Sequence, residues 1–166
     1  MKRTYKKLAC LLLLASGSTA FANDLTAMMN NARAQGRTCG GQYYPPAPAL
    51  QSNTKLWQAA GEHTIDMFQN NYYSHTSQDG RTAKDRIDET GYFDNCRDWS
   101  YAENIAAGYD SVAEAFRGWI NSPGHCKNIM NPKLKEVGWF TTLGTTPPNP
   151  NNQYDHYWVV KFGRCG

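Results

Sequence analysis

Residues 111–132 read SVAEAFRGWINSPGHCKNIMNP. Ser111 and Glu114 stand three positions apart ahead of an apolar run, which is the spacing of a capping box at a helix N-terminus. The predicted helix ends at the turn-forming residues 121–124 and has one apolar face, made of Val112, Ala115, Phe116 and Trp119. A polar cluster, Ser122 to Cys126, follows at this element boundary, where side chains can converge on a cleft.

The sequence on either side of this stretch predicts further helices and strands. Apolar residues at helical spacing, together with capping residues, predict three earlier helices, and two β-rich runs come after it. Helices followed by late antiparallel strands indicate an α+β domain rather than a parallel βαβ sheet. The earlier helices run from Asn23 or Asp24 to about Ala34, from Ser52 to Asn70 and from Thr82 to Ile87, and the strands from Val137 to Leu143 and from His156 to Phe162.

The first 22 residues predict a secretory signal peptide. Basic residues precede a short apolar run, Leu8 to Ala15, and an Ala-x-Ala cleavage pattern ends at Ala22. The run is too short for a transmembrane anchor, which needs roughly 20 residues. Cys10 lies ahead of most of the leucines, which disfavours a lipoprotein. We therefore predict a signal peptide, residues 1–22, and one domain, residues 23–166, that is exported to a periplasm or to the medium.

Removal of the signal peptide changes the charge and the cysteine count. The full chain of 166 residues has 17 basic and 14 acidic residues, a net charge of +3, and five cysteines. The exported chain has 13 basic and 14 acidic residues, a net charge of −1, and four cysteines. A charge near zero gives no argument for a nucleic-acid or anionic-membrane partner. Four cysteines in an exported chain predict two structural disulfides, with three possible connectivities.

The familiar cofactor and hydrolase motifs are absent, including the glycine patterns that bind dinucleotides or phosphates. The remaining candidates are His75, Glu103 and His125, which lie in three polar clusters surrounded by apolar sequence. Two histidines and one carboxylate can bind a divalent cation or form a metal-free acid–base pair. A structural interpretation is also open, in which the histidines only hydrogen-bond at element boundaries and Glu103 accepts backbone N–H groups.

For one further histidine and three aromatic residues near these clusters, a position in the core is the preferred interpretation. His63 lies between Ala59 and Met67 on the apolar face of the second helix, which is typical of a buried core histidine. Three aromatic residues could line a ligand groove, but rings beside helix ends usually pack inside. The core interpretation is therefore preferred for Tyr72, Tyr73 and Trp99.

Three motifs in a fixed order carry a family resemblance. They are NNYYSHTSQDGR at residues 70–81, AENIAAG at residues 102–108 and WINSPGHCKNIMNP at residues 119–132. This order resembles the bacterial branch of the CAP superfamily, the SCP-like extracellular proteins related to cysteine-rich secretory proteins, antigen 5 and pathogenesis-related proteins. The resemblance extends from Leu25 to Phe162. It implies a three-layer α-β-α sandwich with a central antiparallel sheet, in agreement with the α+β class.

The resemblance also implies a site. Members of the superfamily often share a cleft with two histidines and two acidic residues, which can hold zinc or another divalent cation. His75 and His125 match the two histidines, and Glu103 matches the first glutamate. Ser122 stands where the second glutamate is expected and cannot supply a carboxylate. Ala102 replaces the usual glycine before Glu103, so a positive φ angle there would be strained.

The resemblance further implies how the cysteines pair. Many bacterial relatives keep one cysteine in an Arg-x-Cys-Gly segment and another in a Gly-His-Cys segment, which Cys39 and Cys126 match. This implies a Cys39–Cys126 bond and a second bond, Cys96–Cys165. The second bond would tie the C-terminal end to the loop before Glu103.

Two functions of different classes remain. The favoured one is a secreted binding or interaction module whose cleft holds a lipid, glycan, peptide or partner protein. The alternative is a metal-dependent hydrolase that acts on peptides or cell-wall material. In that case His75 and His125 would hold the cation, a bound water would be the nucleophile and Glu103 its general base.

Overall fold

A computed structural model describes residues 24–144 and 149–166. The predicted signal peptide and the alternative helix cap Asn23 lie outside the described residues. The helices are α1 (Leu25–Gln35), α2 (Thr54–Gln69), α3 (Ala83–Glu89), α4 (Val112–Asn121) and α5 (Pro123–Met130). The strands are β1 (Arg37–Cys39), β2 (Gln42–Tyr44), β3 (Gln51–Ser52), β4 (Trp99–Ala107), β5 (Glu136–Thr141) and β6 (Tyr157–Cys165).

Side-chain caps set the starts of the first three helices. The Asp24 carboxylate accepts the Thr26 N–H ahead of α1. The Asn53 side chain accepts N–H groups from the first turn of α2. Thr82 and Asp85 exchange hydrogen bonds at the start of α3, which is a complete capping box. The three predicted helices before residue 111 are therefore present, with ends shifted by one or two residues.

The stretch that begins at Ser111 contains two helices where the sequence predicted one. Ser111 caps α4 by accepting the Glu114 N–H, but the Glu114 carboxylate accepts the Asp110 N–H, so only half of the predicted capping box forms. After Ser122 the chain at once starts α5, with Pro123 in its first turn. A proline can begin a helix because its fixed φ suits the first position and its missing N–H is not needed there. The interpretation of residues 121–124 as a simple stop was incomplete.

A four-stranded sheet with the order β3-β5-β6-β4 forms the middle layer. The three long strands are antiparallel, and β3 adds a two-residue parallel pairing to β5. Helix α2 packs on one face of the sheet, and α1, α4 and α5 pack on the other. The strand β6 is consequently buried on both faces from Tyr157 to Gly163. The predicted α-β-α sandwich is confirmed.

Strand β4 was not predicted, although it carries Glu103. The sequence around Glu103 was interpreted as an element boundary, because Glu103 and Asn104 interrupt any apolar pattern. Both side chains are nevertheless buried in the middle of β4. Ala102 lies in the same strand and has no positive φ angle, so the strain expected there does not arise.

Two disulfides connect distant parts of the sandwich. Cys39–Cys126 joins the β1–β2 hairpin to α5, across 87 residues of sequence. Cys96–Cys165 joins the segment before β4 to the end of β6, across 69 residues. These are the two pairings that the resemblance implies. Within residues 24–144 and 149–166, no helix has the length and apolar character that a membrane crossing requires.

Candidate functional site

Glu103 lies at the centre of a buried cluster of charges. It stands opposite Lys161 in the pairing of β4 with β6, and only 3% of its side chain is exposed. Its Oε2 atom accepts hydrogen bonds from Lys161 Nζ and, at 3.3 Å, from Arg86. Its Oε1 atom accepts a hydrogen bond from His75 Nδ1 at 2.6 Å. One carboxylate therefore joins the sheet, α3 and the loop between α2 and α3.

Arg86 holds the loop that carries His75. Its guanidinium is buried and donates to the backbone carbonyls of His75 and Arg81 and to the hydroxyl of Ser77, at 2.7–2.8 Å. The His75 ring lies at the surface, with 55% of the side chain exposed. The loop thus presents one ring to solvent while its backbone is fixed against the ion cluster.

Burial and their mutual contact shift the pKa values of Glu103 and Lys161. Burial by itself raises the pKa of Glu103, but the hydrogen bond from His75 and the charge of Lys161 outweigh burial and lower the pKa to about 2. Burial lowers the pKa of Lys161 to about 8, against the opposing effect of Glu103. The carboxylate and the ammonium are therefore both charged at pH 7.

His125 lies in the first turn of α5 and is partly buried. Burial lowers the pKa of His125, and the charge of nearby His75 lowers it further. The backbone of this turn is tied to β4, because the Asn104 side chain donates to the His125 carbonyl at 3.2 Å. Asn128 donates to the Asn104 side chain at 2.9 Å and to the Glu103 carbonyl at 3.3 Å. The structure therefore brings His75, Glu103 and His125 to one region, as the motifs predict.

A cleft of about 260 Å³ lies along the outer edge of β4, beside His125. Its walls include Tyr73, Tyr109, Trp119, Ser122 and Tyr154. Tyr73 and Trp119 both donate hydrogen bonds to the Ile105 carbonyl, at 3.1 and 2.9 Å, and so cover part of the strand edge. The cleft thus combines aromatic faces with a few polar groups.

The expected core positions of the aromatic residues are correct only in part. Tyr72 packs against the α2 side of the core. Tyr73 is 42% exposed and lines the cleft, so the groove interpretation applies to it. Trp99 is 44% exposed and packs on the surface against Phe93 and Tyr101. The exposure of both rings depends on the tertiary fold, which spacing along the sequence cannot reveal.

His63 is buried in α2, as its apolar surroundings predicted. Its Nε2 atom donates to the Ser74 carbonyl at 2.9 Å, whereas the buried Nδ1 atom has no hydrogen-bond partner among the residues that the structure describes. Burial lowers the pKa of His63 to about 4, despite the opposing charge of Glu103. The ring is therefore neutral at pH 7 and helps to fix the loop that leads to His75.

The residues present do not fit a zinc centre with three protein ligands. Within the described ranges, no group of three or more His, Cys, Asp and Glu side chains is arranged to hold a metal ion. Glu103 already shares its two oxygen atoms among His75, Lys161 and Arg86. Ser122, which stands where the second glutamate is expected, lines the cleft and has no carboxylate. The two predicted metal ligands, His75 and His125, are therefore without a third protein ligand among the described residues.

Sequence reasoning missed the two cations that bind Glu103. Lys161 carried a signal, because a single charge interrupts the apolar strand YWVVKF, and such a charge needs a buried partner. Arg86 lies in a short polar helix and carried no comparable signal. Both partners belong to other elements, so their pairing with Glu103 depends on the tertiary fold.

The amino-acid sequence also matches a known protein family. The sequence profile of the CAP family, described as the cysteine-rich secretory protein family, matches residues 26–162. The chain belongs to the CAP family. The CAP domain therefore includes every described helix and strand apart from the last residues of β6 and the first residue of α1.

Two bacterial proteins illustrate what this CAP domain is similar to. It is 38% identical over 81 residues to YlbC, an uncharacterized membrane protein of Bacillus subtilis, in an alignment that covers 49% of this chain and 22% of YlbC. A crystal structure of an extracellular protein containing an SCP domain from Bacillus anthracis has 26% identity and a TM-score of 0.64, and the match covers 84% of this chain and 39% of that chain. This chain therefore spans well under half of either protein.

An outer surface protein from Borrelia burgdorferi shares the fold. Its TM-score is 0.58 at 24% identity, and the match covers 72% of this chain and 80% of that chain. At this identity the similarity supports the architecture alone.

Proposed function

We propose that this CAP domain is an exported binding module whose ligand occupies the cleft beside His125 without any bond being broken. The observation that supports this is the state of Glu103. A general base must accept a proton and reach the substrate. A buried carboxylate with a pKa of about 2, paired with Lys161, Arg86 and His75, is unsuited to both tasks. Glu103 instead holds the wall of the cleft in place.

The cleft suits recognition of a small group. Ligand sites are mostly apolar, with a few polar groups that set orientation, and usually have volumes of about 300–1,000 Å³. The volume here, about 260 Å³, is slightly smaller. We therefore expect it to take one sugar ring or one amino-acid side chain of a larger extracellular glycan or peptide, rather than a whole lipid.

Export is part of the proposal. The predicted signal peptide, residues 1–22, and the two disulfides both favour an oxidising compartment. The solved relative from Bacillus anthracis is an extracellular protein. We propose that the domain works in a periplasm or in the medium.

The alternative is a metal-dependent hydrolase of peptides or cell-wall material. It requires His75 and His125 to hold a divalent cation such as zinc and Glu103 to act as the general base. The exposed His75 ring, beside a His125 whose pKa is lowered, is the feature that favours cation binding. The ion pairs of Glu103 count against the catalytic part.

One experiment separates the two functions. The exported form is titrated with soluble peptidoglycan fragments, which offer both sugars and peptides. NMR monitors the cleft residues, and mass spectrometry monitors cleavage. We expect saturable shifts at Tyr73, Tyr109 and His125 and no products. Products that disappear in a folded Glu103→Gln variant would establish the hydrolase instead, and an absence of shifts would reject this ligand class.

Two glycine variants provide a matched pair for the titration. A Cβ atom at Gly118 would collide with the Tyr109 hydroxyl, whose side chain must then move and reshape the cleft. A Cβ atom at Gly124 meets nothing within 4 Å. We expect Gly118→Ala to weaken binding and Gly124→Ala to leave it unchanged.

A further inference from the structure

A second cavity lies between α2 and β5, and none of the residues of the Glu103 cluster or of the cleft lines it. Its volume is about 530 Å³. Trp57 of α2 and Phe140 of β5 form two of its walls, with ring centroids 5.7 Å apart and planes at 69°. Trp57 is 53% exposed, although it is held on a well-packed helix. Tryptophan is enriched at protein–protein interfaces relative to the rest of the protein surface.

Two carboxylates stand beside these rings without a cation of their own. Glu62 accepts a hydrogen bond from Gln58 at 2.9 Å, and Asp66 accepts hydrogen bonds from Tyr72 and, at 2.7 Å, from Asn70. Neither carboxylate has an ion-pair partner among the residues that the structure describes. Both line the cavity and give it negative charge.

The one cationic residue in the lining does not cancel this charge. Arg81 is paired with Asp79 at 2.7 Å and with Glu89 at 2.9 Å, and both of these carboxylates lie outside the lining. The guanidinium is therefore already neutralised. The charge left in the cavity is that of Glu62 and Asp66.

Trp99, the other exposed tryptophan, differs from Trp57 because it already contacts a cation. The ammonium of Lys84 lies 5.1 Å from the centre of the Trp99 ring and 5.6 Å from that of Phe93. In the described part of the chain, these are the only cation–π contacts, so Trp57 has none. The Trp57 surface therefore has the components of a cation site, namely a ring face and carboxylates, but lacks the cation.

We propose that this cavity binds the lysine side chain of an extracellular partner polypeptide. The ammonium packs against the face of Trp57 and donates its N–H groups to Glu62 and Asp66. A primary ammonium has three donors and can hydrogen-bond to both carboxylates, whereas a quaternary ammonium has no N–H to donate. A further hollow beside Trp57, along Trp139 and Thr141, accommodates a residue that flanks the lysine. The proposal is independent of the function of the cleft.

The test uses Nα-acetyl-lysine amide as the probe and two-dimensional NMR of the exported form. We expect saturable shifts of the Trp57 indole N–H and the Gly61 amide, with weaker binding at high salt. Trp57→Leu and Glu62→Gln should each weaken binding about threefold or more. Trp99→Leu is the matched control, since it removes an exposed tryptophan whose cation is already present, and should leave binding unchanged.

Two further probes, one neutral and one a quaternary cation, test whether the cavity recognises a primary ammonium. The same compound acetylated on Nε keeps the aliphatic chain and loses the charge, so binding as tight as that of the lysine probe would overturn the proposal. Choline binding more tightly than the lysine probe would also overturn it, in favour of a lipid headgroup. Glu62 is exposed, so Glu62→Gln keeps the test valid even if Trp57→Leu fails to fold.

Discussion

Glu103 and Lys161 face each other across strands β4 and β6 and form an ion pair in the interior of the protein. Arg86 reaches the same carboxylate from α3. Such a cluster replaces the hydration of all three charges by mutual contacts, so the loss of its single acid affects two cations at once.

Replacement of Glu103 should therefore lower the stability of the folded chain. We expect Glu103→Gln to lower the free energy of unfolding by about 3–5 kcal/mol, because Lys161 and Arg86 are left buried without a counter-charge. Urea denaturation measures the loss. Asp98→Asn is the control, since it breaks an exposed pair with Arg164 and should cost less than about 1 kcal/mol. Equal losses in the two variants would contradict a buried cluster.

Stability should depend on the protonation of His63. Burial lowers its pKa from an ordinary 6.5 to about 4, so between these pH values the unfolded chain binds more protons than the folded chain. The free energy of unfolding should thus fall as the pH drops from about 6.5 to about 4, by roughly 3 kcal/mol. Thermal or urea unfolding across this range measures the slope.

The variant His63→Gln removes this titration while its amide can still donate to the Ser74 carbonyl. The difference between wild type and variant should therefore vary with pH between about 4 and 6.5 and be constant below that range. Glu103 titrates in a separate window, because its contribution is lost only as the pH falls from about 4.5 towards 2. A variant that keeps the full slope above pH 4 would show that other groups cause it.

The two disulfides should contribute similar free energies of stabilisation, but each should anchor a different part of the structure. Closed loops of 87 and 69 residues correspond to about 4–5 kcal/mol each in the chain-entropy description. Cys39→Ala with Cys126→Ala should also shift the NMR signals of His125, whose neighbour it releases. Cys96→Ala with Cys165→Ala should leave those signals in place and shift those of Trp99. The same shifts in both variants would contradict local anchoring.

The contact of α2 with β5 should tolerate no side chain at Gly138. A Cβ atom there would overlap the backbone of Leu56 and Trp57, which cannot rotate away. We expect Gly138→Ala to cost about 3 kcal/mol or more in the free energy of unfolding. Gly61→Ala is the control, because its Cβ would lie 3.5 Å from the Phe140 ring and alanine favours helix. Thermal unfolding of both variants measures the difference.

The sequence predicts the elements whose burial follows a simple period. Helix α2 and strand β6 are of this kind, because their apolar residues reveal the face or faces that the core covers. Strand β4 is different, since Glu103 and Asn104 are buried through hydrogen bonds and charge rather than through apolar contact. Hydropathy cannot distinguish such residues from a surface loop. The same limit applies to Pro123, which can end one helix or begin another.

The site could be predicted in its members but not in its chemistry. The order of the motifs brings His75, Glu103 and His125 together. Whether Glu103 is an available base depends on Lys161 and Arg86, which are 58 and 17 residues away in sequence. Only the folded chain shows that these cations occupy its oxygen atoms.

The position of Lys161 also restricts how the sheet can assemble. Its neighbours Val160 and Phe162 point into the apolar layer beneath α1, α4 and α5, while Lys161 points to the α2 side. A shift of β6 by one residue would turn the ammonium into that apolar layer, where none of the described core residues is acidic. It would also leave Glu103 opposite a residue without a positive charge. We therefore expect this single charge to destabilise misaligned pairings of β6 during folding.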